Sequence, residues 1–386
     1  MKIVHVIDYF QPQLGYQETF LAREQAKLGH DVYVVTSDRY SPSIFEANRS
    51  VLGKRVRAPG FFDEEGIKVW RLKTLFEVTN AIWIRGLENK VLELEPDIVI
   101  VHGIVTFSAI RVARLKSGAN KFKLIYDDHM TFDNSTSRLR VLYPLFRYTF
   151  SSLIQDSADA LVGIADACQD FMNRSYGIPI DRISVVPLGA DDELFRFDEA
   201  SRLYIRGQLN IEKNDIVFIY TGKIIPEKKL SLLLDALKLI KDQGNIKILL
   251  VGDGPLAHIE ELKQRAIEGN VEDKFIWQQV VHNKELYKFY SAADVAIWPR
   301  GATISQREAM ACNLPIIISD GSMVTELVAY NNGLICKENN PLDLSEKMQR
   351  LLDPALRKEM GRNSRSYIEE KLSLRVTAKR FIELAT

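Results

Sequence analysis

Short apolar runs of strand length alternate with helix-length amphipathic segments along almost the whole chain. This alternation is typical of βαβ crossovers, in which helices cover both faces of a parallel sheet. We therefore predict an α/β fold. The predicted strands are Ile3–Ile7, Asp31–Thr36, Ile67–Arg71, Ile98–Val101, Lys123–Asp127, Ala160–Val162, Ile183–Val186, Ile216–Tyr220, Lys247–Val251, Lys274–Trp277, Val295–Trp298 and Pro315–Ser319.

The predicted strands fall into two groups, which indicates two doubly wound domains. The segment between the groups, Pro187–Phe195, breaks the pattern with Pro, Gly and paired acids. We place the boundary there, with residues 1–190 in the first domain and residues 191–371 in the second. Doubly wound domains bind ligands at the carboxyl ends of their strands.

Composition excludes several classes of function. Lys plus Arg and Asp plus Glu each number 51, so net charge does not indicate nucleic-acid binding. Cys168, Cys312 and Cys336 lack CxxC spacing, which fits a reducing cytoplasm better than a disulfide framework or zinc site. No uninterrupted apolar run approaches the roughly 18 residues of a transmembrane helix, and the apolar run at the N-terminus is too short for a signal peptide.

The stretch Asp294–Asp320 combines a strand, a loop, a helix that opens near Ser305 and a second strand. We expect Glu308 in the first turn of this helix. Free backbone N–H groups and the positive end of the helix dipole would attract a phosphate there. The carboxylate could accept hydrogen bonds from a ribose diol. The alternative is an acid that only caps the helix, which is the commoner role of an isolated Glu.

Two glycine-containing loops follow predicted strands of the second domain. In the first, Gly222 and Lys223 precede Lys228, and two cations near a helix N-terminus suit a leaving diphosphate. An ordinary solvated lysine cluster is the alternative. The second loop, GDGP, contains Gly252 and Gly254. It resembles a dinucleotide-binding GxGxxA string, but it follows the second strand of its domain instead of the first.

The first domain offers a glycine loop and a histidine loop. Gly15 precedes a helix, where the lack of a Cβ would let backbone amides approach a diphosphate. His129 follows the strand that ends at Asp127, a position where α/β domains bind ligands. A loop-bracing role is the alternative for His129. Asp127 and Asp128 could suggest a metal pair, but no third ligand is evident, so we expect no metal.

In combination, these motifs resemble the retaining GT-B glycosyltransferases called family 4, or group 1. The string EAMACNLPIII resembles the second half of their Glu-x7-Glu motif. The glycine loop, histidine loop, VVPLGAD, Gly-Lys pair, GDGP and EAMAC occur in the family's order. The resemblance implies two Rossmann-like domains that face a central cleft, with a C-terminal helix, about residues 372–386, packed back on the first domain.

The resemblance also implies a function. A sugar would move, with retained anomeric configuration, from a nucleotide-diphosphate sugar to a glycan or lipid-linked acceptor in cell-surface polysaccharide or glycoconjugate synthesis. No metal or other cofactor is expected. A nucleotide-sugar epimerase and a non-catalytic nucleotide-binding partner subunit are the alternatives. The implied catalytic residues are His129, Lys223 and Lys228, and the implied donor-binding residues are Gly15, Gly222, Gly254, Thr303, Ile304, Ser305 and Glu308.

The chain departs from the family pattern at three single positions and in the loop Ala302–Ile304, where the family prefers residues like Gly-Phe-Gly-Leu. Tyr16 replaces the second glycine of the usual pair, and Lys223 replaces an Arg. Arg300 stands where the family has its first Glu, which contacts the donor sugar. A guanidinium only donates hydrogen bonds and cannot accept them from sugar hydroxyls. We therefore predict a rebuilt donor pocket, in which backbone N–H groups of Thr303–Ser305 and the Ser305 hydroxyl help to hold the donor.

The segment Ser137–Leu153 interleaves Arg138, Arg140 and Arg147 with aromatic and leucine residues. This pattern suits a helix at an anionic membrane surface. It equally suits a core helix behind the histidine loop. Peripheral contact of this segment with the inner face of the cell membrane is therefore one of two interpretations.

Overall fold

The computed structural model describes residues 1–118, 120–132, 135, 142–240, 242–243, 245–301, 303–322 and 325–386. The chain divides into two compact units, Met1–Leu188 with Leu374–Thr386, and Gly189–Ser373. The boundary expected at residue 190 is found at residue 188, and the one expected at residue 371 is found at residue 373.

The α/β prediction is confirmed, and the predicted strands are present with ends shifted by a residue or so. Four further strands, β3, β5, β6 and β16 below, were not predicted. Each of them is only four or five residues long, and β3, β5 and β16 mix apolar with glycine or polar residues. The strands are β1 (Lys2–Ile7), β2 (Asp31–Ser37), β3 (Gly60–Glu64), β4 (Ile67–Leu72), β5 (Thr74–Val78), β6 (Ala81–Ile84), β7 (Ile98–His102), β8 (Lys123–Asp128), β9 (Ala160–Gly163), β10 (Ile183–Val185), β11 (Ile216–Thr221), β12 (Ile246–Val251), β13 (Phe275–Gln278), β14 (Val295–Trp298), β15 (Ile316–Ser319) and β16 (Gly333–Cys336).

Helices occupy most of the connections between strands. They are α1 (Gln17–Lys27), α2 (Pro42–Ala47), α3 (Arg49–Leu52), α4 (Leu87–Glu93), α5 (Phe107–Ser117), α6 (Leu142–Thr149), α7 (Ser151–Ser157), α8 (Asp166–Phe171), α9 (Glu199–Gln208), α10 (Ser231–Ile240), α11 (Leu256–Glu268), α12 (Leu286–Ala292), α13 (Ile304–Ala311), α14 (Pro341–Arg350), α15 (Pro354–Tyr367) and α16 (Leu374–Glu383). Two of them, α8 and α15, continue as π-helical stretches at Met172–Tyr176 and Ile368–Leu372.

The described part of the first unit contains an eight-stranded sheet with the order β10-β9-β8-β7-β1-β2-β4-β3, and a separate β5-β6 hairpin. Its strand pairs are parallel except for β3 with β4. The order reverses between β1 and β7. The loops that leave the carboxyl ends of these two strands therefore diverge and open a crevice, which is where such sheets bind ligands.

The C-terminal helix α16 belongs to the first unit. The helix buries Ala378 and Phe381, and the residues after it bury Ala385, in an apolar core shared with β1 and β2. The Thr377 hydroxyl donates to the carbonyl oxygen of Pro187 at 3.1 Å. The helix expected from residue 372 begins at Leu374.

The second unit contains a fully parallel six-stranded sheet with the order β13-β12-β11-β14-β15-β16. Here the order reverses between β11 and β14. The Trp298 indole, at the end of β14, donates to the carbonyl oxygen of Thr221, at the end of β11, at 3.1 Å. This bond joins the two strands at the point from which their loops diverge.

The loops after β11 and β12 pack backbone against backbone. Ile224 N–H donates to the carbonyl oxygen of Asp253 at 2.8 Å. A Cβ on Gly252 would lie 1.9 Å from the Gly222 carbonyl oxygen, and one on Gly254 would lie 1.9 Å from the Ile224 carbonyl oxygen. Both glycines of the GDGP string are therefore required by this contact.

Replacement of Gly252 by Ala should destabilise the second unit, because its methyl group would force the two loops apart. Overpacking of this kind costs about 1–3 kcal/mol. Urea unfolding followed by tryptophan fluorescence measures the loss. Gly207→Ala is the matched control, since no heavy atom lies within 4 Å of its added Cβ and Ala favours a helix over Gly by up to about 1 kcal/mol. Equal destabilisation by both changes would contradict the contact.

Candidate functional site

In the second unit, Glu308 is a buried carboxyl group close to the end of β11. Its Oε1 accepts a hydrogen bond from Asn283 Nδ2 at 3.0 Å, and its Oε2 accepts one from the Tyr290 hydroxyl at 3.5 Å. The Tyr290 oxygen also lies 2.8 Å from Thr221 Oγ1. These contacts hold the carboxyl group at the point where the strand order reverses.

Glu308 lies in the second turn of its helix, whereas we predicted it in the first. Helix α13 begins at Ile304, and Thr303 and Gln306 form a capping box at its start. The first turn holds no acidic residue, so the placement of Glu308 in the first turn was wrong. The reason is local, since a Thr N-cap with Gln three residues later fixes the helix start by reciprocal hydrogen bonds.

The capping box also uses backbone groups that were predicted to hold a donor. Thr303 N–H donates to Gln306 Oε1 at 3.3 Å, and Ser305 N–H donates to Thr303 Oγ1 at 3.4 Å. The Ser305 side chain hydrogen-bonds the Glu308 carboxyl group. A ligand at this helix start would have to share these donors with the cap.

Burial shapes the charges at this edge of the sheet. It raises the pKa of Glu308 to about 7, although hydrogen bonds from Asn283 and Tyr290 act in the opposite direction. Burial and the positive charge of Lys223 lower the pKa of Lys228. The Lys228 ammonium group lies beside the loop that leads into α13, because a Cβ on Gly301 would come within 2.7 Å of its Nζ.

Of the predicted donor-binding glycines in this unit, Gly222 has a φ of +139° and lies directly after β11. Its N–H donates to the Val251 carbonyl oxygen at 3.1 Å. The carbonyl oxygen of the next residue, Lys223, accepts from the Tyr220 hydroxyl at 2.8 Å. These bonds fix the backbone from which the exposed Lys223 side chain extends.

Arg300 forms an ion pair that the sequence did not indicate. Its Nε lies 3.3 Å from Oε1 of Glu338, and Lys229 Nζ lies 4.0 Å from the same oxygen. Glu338 follows β16, one of the strands that was not predicted. Its N–H donates to Asp320 Oδ1 at 2.7 Å, which places it at the carboxyl edge of the sheet.

In the first unit, a chain of hydrogen bonds crosses the carboxyl ends of three adjacent strands. Gln25 Oε1 lies 2.7 Å from His5 Nε2, and His5 Nδ1 lies 3.0 Å from His102 Nε2. His102 Nδ1 lies 2.9 Å from Asp127 Oδ2. The same oxygen lies 3.1 Å from His129 Nε2. Asp127 therefore orients two imidazole rings.

The pKa values of the groups in this hydrogen-bonded series differ widely. Burial and the nearby His102 lower the pKa of His5 to about 3, so His5 is neutral. Burial also lowers the pKa of His129, but the Asp127 carboxylate outweighs it and raises that pKa to about 9. Although burial raises the pKa of Asp127, His129 and His102 hold it well below its usual range. Sequence reasoning found His129 and missed His5 and His102, whose signal was a polar residue in or at the end of an apolar strand.

The predicted glycine loop precedes α1. Gly15 ends a short 3-10 turn with a left-handed φ of 65°, and Tyr16 is the N-cap of α1. Tyr16 and Asp8 help to line an open pocket of about 360 Å³. His102 lines this pocket too, so the histidine chain and the glycine loop meet at one crevice of the first unit.

The segment predicted to contact a membrane is described only in part, since Arg138 and Arg140 lie outside the described residues. Helix α6 buries Phe146 and exposes Leu145 and Tyr148. No helix in the described ranges is long and apolar enough to cross a membrane.

Two family models match the chain. Residues 201–367 match the glycosyl transferases group 1, and residues 19–194 match Glycosyltransferase Family 4. A D-inositol 3-phosphate glycosyltransferase of Xylanimonas cellulosilytica is 23% identical over 70% of this chain and 62% of its own length. A second one, of Streptomyces bingchenggensis, is 27% identical over 58% of this chain and 52% of its own length. The matches to these two relatives thus cover less than two thirds of their lengths.

Other similar proteins match along almost their entire length. The putative teichuronic acid biosynthesis glycosyltransferase TuaC of Bacillus subtilis is 21% identical over 91% of this chain and 89% of its own. Anabaena HepE in complex with UDP has a TM-score of 0.73 at 17% identity and covers 99% of both chains. A glycosyltransferase from Rickettsia africae has a TM-score of 0.73 at 14% identity and covers 100% of this chain and 97% of its own. These structural likenesses show the fold.

Replacement of Glu308 by Gln should change stability in a pH-dependent way. Because the pKa of Glu308 is raised on folding, its favourable contribution is present at low pH and is lost as pH rises through about 7. Between pH 4.5 and pH 8, the free energy of unfolding of the variant should therefore rise relative to that of the wild type by on the order of 3 kcal/mol. Urea unfolding of both proteins across this range measures the difference. A constant difference would contradict the buried, neutralised carboxyl group.

Replacement of Asp127 by Asn should lower the pKa of His129 from its value of about 9, because the attracting carboxylate is removed while burial stays. NMR titration of the His129 ring signals measures this change. Asp159→Asn is a matched control, since Asp159 pairs with Lys123 away from the histidine chain. An unchanged His129 titration in the Asp127 variant would show that another group sets its charge.

Proposed function

Because this chain belongs to the group 1 glycosyltransferases of the GT-B fold, we propose that it is a retaining glycosyltransferase. It would move a sugar from a nucleotide-diphosphate sugar to a glycan or lipid-linked acceptor. One observation carries the proposal: a buried carboxyl group, Glu308 of helix α13, and a partly buried ammonium group, Lys228 after β11, follow the two strands between which the strand order of the second unit reverses. HepE, which shares the fold, has been crystallised with UDP and with UDP-glucose.

Glu308 is the proposed ribose-binding residue. An ionised carboxylate accepts about four hydrogen bonds, so the contacts from Asn283, Tyr290 and Ser305 leave capacity for a ribose hydroxyl. Those three contacts also fix the orientation of the carboxyl group before a ligand binds. Such preorganisation lowers the entropy cost of binding.

Lys223 and Lys228 are the proposed diphosphate-binding residues. The positive charge of Lys223 lowers the pKa of Lys228, which means that the two ammonium groups repel one another. An anion between them would relieve that repulsion, and relief would be greatest when the diphosphate charge grows as the glycosidic bond breaks. Gly222 would let backbone N–H groups approach this anion, and Gly15 stays a proposed donor-binding residue of the first unit. No metal is required in this proposal, since the lysines supply the positive charge.

The sugar end of the donor would be held differently from the family pattern. Arg300 cannot accept hydrogen bonds from sugar hydroxyls, but it holds the Glu338 carboxylate at 3.3 Å. Glu338 would therefore supply the acceptor oxygens that the family's first Glu provides. The backbone around the donor would be that of Thr303, Ile304, Ser305 and Gly254. His129 stays a proposed catalytic residue of the first unit.

The proposed biological setting is cell-surface polysaccharide or glycoconjugate synthesis by a cytoplasmic enzyme. Similarity to TuaC, a putative teichuronic acid biosynthesis glycosyltransferase, supports the polysaccharide part of this proposal. The exposed Leu145 and Tyr148 on α6, beside Arg147, support peripheral contact with an anionic membrane.

Product analysis after incubation with UDP-sugars and candidate acceptors decides among the possible functions. A transferase releases free UDP, by transfer or by slow hydrolysis. A nucleotide-sugar epimerase alters the sugar and leaves it attached to the nucleotide. A non-catalytic partner subunit binds UDP and leaves the UDP-sugar unchanged. Absence of UDP binding and of turnover would overturn the proposal for UDP donors.

Replacement of Lys228 by Ala should lower kcat more than it raises KM, because the charge that Lys228 meets is largest in the transition state. Steady-state kinetics measure both constants. Lys213→Ala, which removes an exposed lysine of the same unit, should leave both unchanged. EDTA should also have no effect on the rate, and loss of activity with EDTA that magnesium restores would contradict the metal-free proposal.

A further inference from the structure

The crevice of the first unit has an unusual charge pattern. We call it the β1 pocket and define it by Asp8, Tyr9, Glu18, Asn80 and His102, which contribute to its lining. It has a volume of about 360 Å³, which is enough for a sugar-sized ligand. Of the described residues, those that line it include two carboxylates and no lysine or arginine.

Asp8 is the buried carboxyl group of the β1 pocket. Its Oδ1 accepts from the Ser108 hydroxyl at 2.5 Å. Burial raises its pKa to about 6, although Arg111 acts in the opposite direction. The guanidinium of Arg111 is itself bound by the Glu88 carboxylate and by the carbonyl oxygen of Ile84. Asp8 is therefore mostly ionised at pH 7, and its nearby cation is held by another acid.

The other cations near the pocket are held in a similar way. Glu77 accepts from Arg39 at 2.7 Å, and Arg55 also binds it. Tyr9, which lines the pocket, donates its hydroxyl to the same carboxylate at 2.7 Å. Glu77 thus binds both arginines. Glu18 contributes a second carboxylate to the pocket wall, and its charge also raises the pKa of His129.

His102 adds no free hydrogen-bond donor to the pocket. Its two ring nitrogens are engaged by His5 at 3.0 Å and by Asp127 at 2.9 Å. The β1 pocket therefore offers hydrogen-bond acceptors on Asp8 and Glu18, and an amide on Asn80. A phosphate needs donors and positive charge, whereas sugar hydroxyls can donate to carboxylates.

We propose that the β1 pocket binds the acceptor as an uncharged sugar or an amino sugar and rejects phosphorylated or otherwise anionic sugars. This inference rests on the proposed function, since it names the chemical class of that reaction's acceptor. Two carboxylates in a partly enclosed pocket repel an anionic sugar, and repulsion of this kind is a common source of specificity. A protonated amino group would instead be attracted.

Ligand-observed NMR with three probes tests the inference: glucose, glucosamine and glucose 6-phosphate share one ring and differ in charge. At pH 7 and fixed ionic strength, glucosamine and glucose should bind. Glucose 6-phosphate should bind at least about tenfold more weakly than glucose, which corresponds to about 1.4 kcal/mol. Binding of glucose 6-phosphate as tight as that of glucose, or no binding by any of the three at millimolar concentration, would overturn the inference.

Charge variants assign the selectivity to the pocket. Glu18→Gln should narrow the preference for glucose over glucose 6-phosphate, and Glu18→Lys should reverse it. Glu95→Gln removes an exposed acid of the same unit that does not line the pocket, so it should leave the preference unchanged. An unchanged preference in both Glu18 variants would overturn the inference.

Thermal-shift measurements with UDP on each protein separate this inference from the proposed function. Bound UDP at about 100 times its Kd should raise stability by roughly 2.7 kcal/mol, which also shows that the variants are folded. If UDP binds but the charge preference is absent, only the inference about the acceptor fails. If UDP does not bind, the proposed function fails for UDP donors.

Discussion

Parallel strands that are covered on both faces leave little room for polar side chains, and this constraint organises both units. Strand interiors such as those of β11 and β14 are fully apolar and buried. Polar groups therefore concentrate at the carboxyl ends of the strands, where the loops diverge. His5 is an exception inside β1, and it is accommodated because Gln25 and His102 engage both of its ring nitrogens. A buried polar group without such partners would be costly.

At this edge of the sheet, the second unit places lysine side chains and the first unit places carboxylates. In the second unit, Lys223 and Lys228 follow β11, and Glu308 in α13 is a buried carboxyl group whose raised pKa keeps it partly neutral near pH 7. In the first unit, Asp8 and Glu18 line a pocket whose neighbouring arginines are held by other acids. A cationic edge suits a diphosphate, and an edge of carboxylates suits hydroxyl donors. Under the two proposals, the same fold would provide two chemically different ligand sites.

The predictable parts of the structure are those that depend on residues close together in the sequence. Strands of both sheets were found because apolar periodicity is a local property. The strands β3, β5, β6 and β16 were missed because each is only four or five residues long. In addition, β3 pairs with β4 and β5 pairs with β6 as antiparallel neighbours, which the expected βαβ pattern does not include. The start of α13 was misplaced by one residue, since the Thr303 capping box was not considered. That small error moved Glu308 from the first turn to the second.

The sequence by itself determined the α/β class, the two-unit division and the candidate residues in the loops and helices that follow strands, among them His129, Gly222, Lys228 and Glu308. Tertiary structure alone decided which of these groups meet. His5 and His102 are 97 positions apart and lie within 3.0 Å of each other, and Arg300 finds its partner in Glu338. The physical reason is that secondary structure follows from neighbouring residues, whereas pairing, burial and pKa depend on what the fold brings close from elsewhere in the chain.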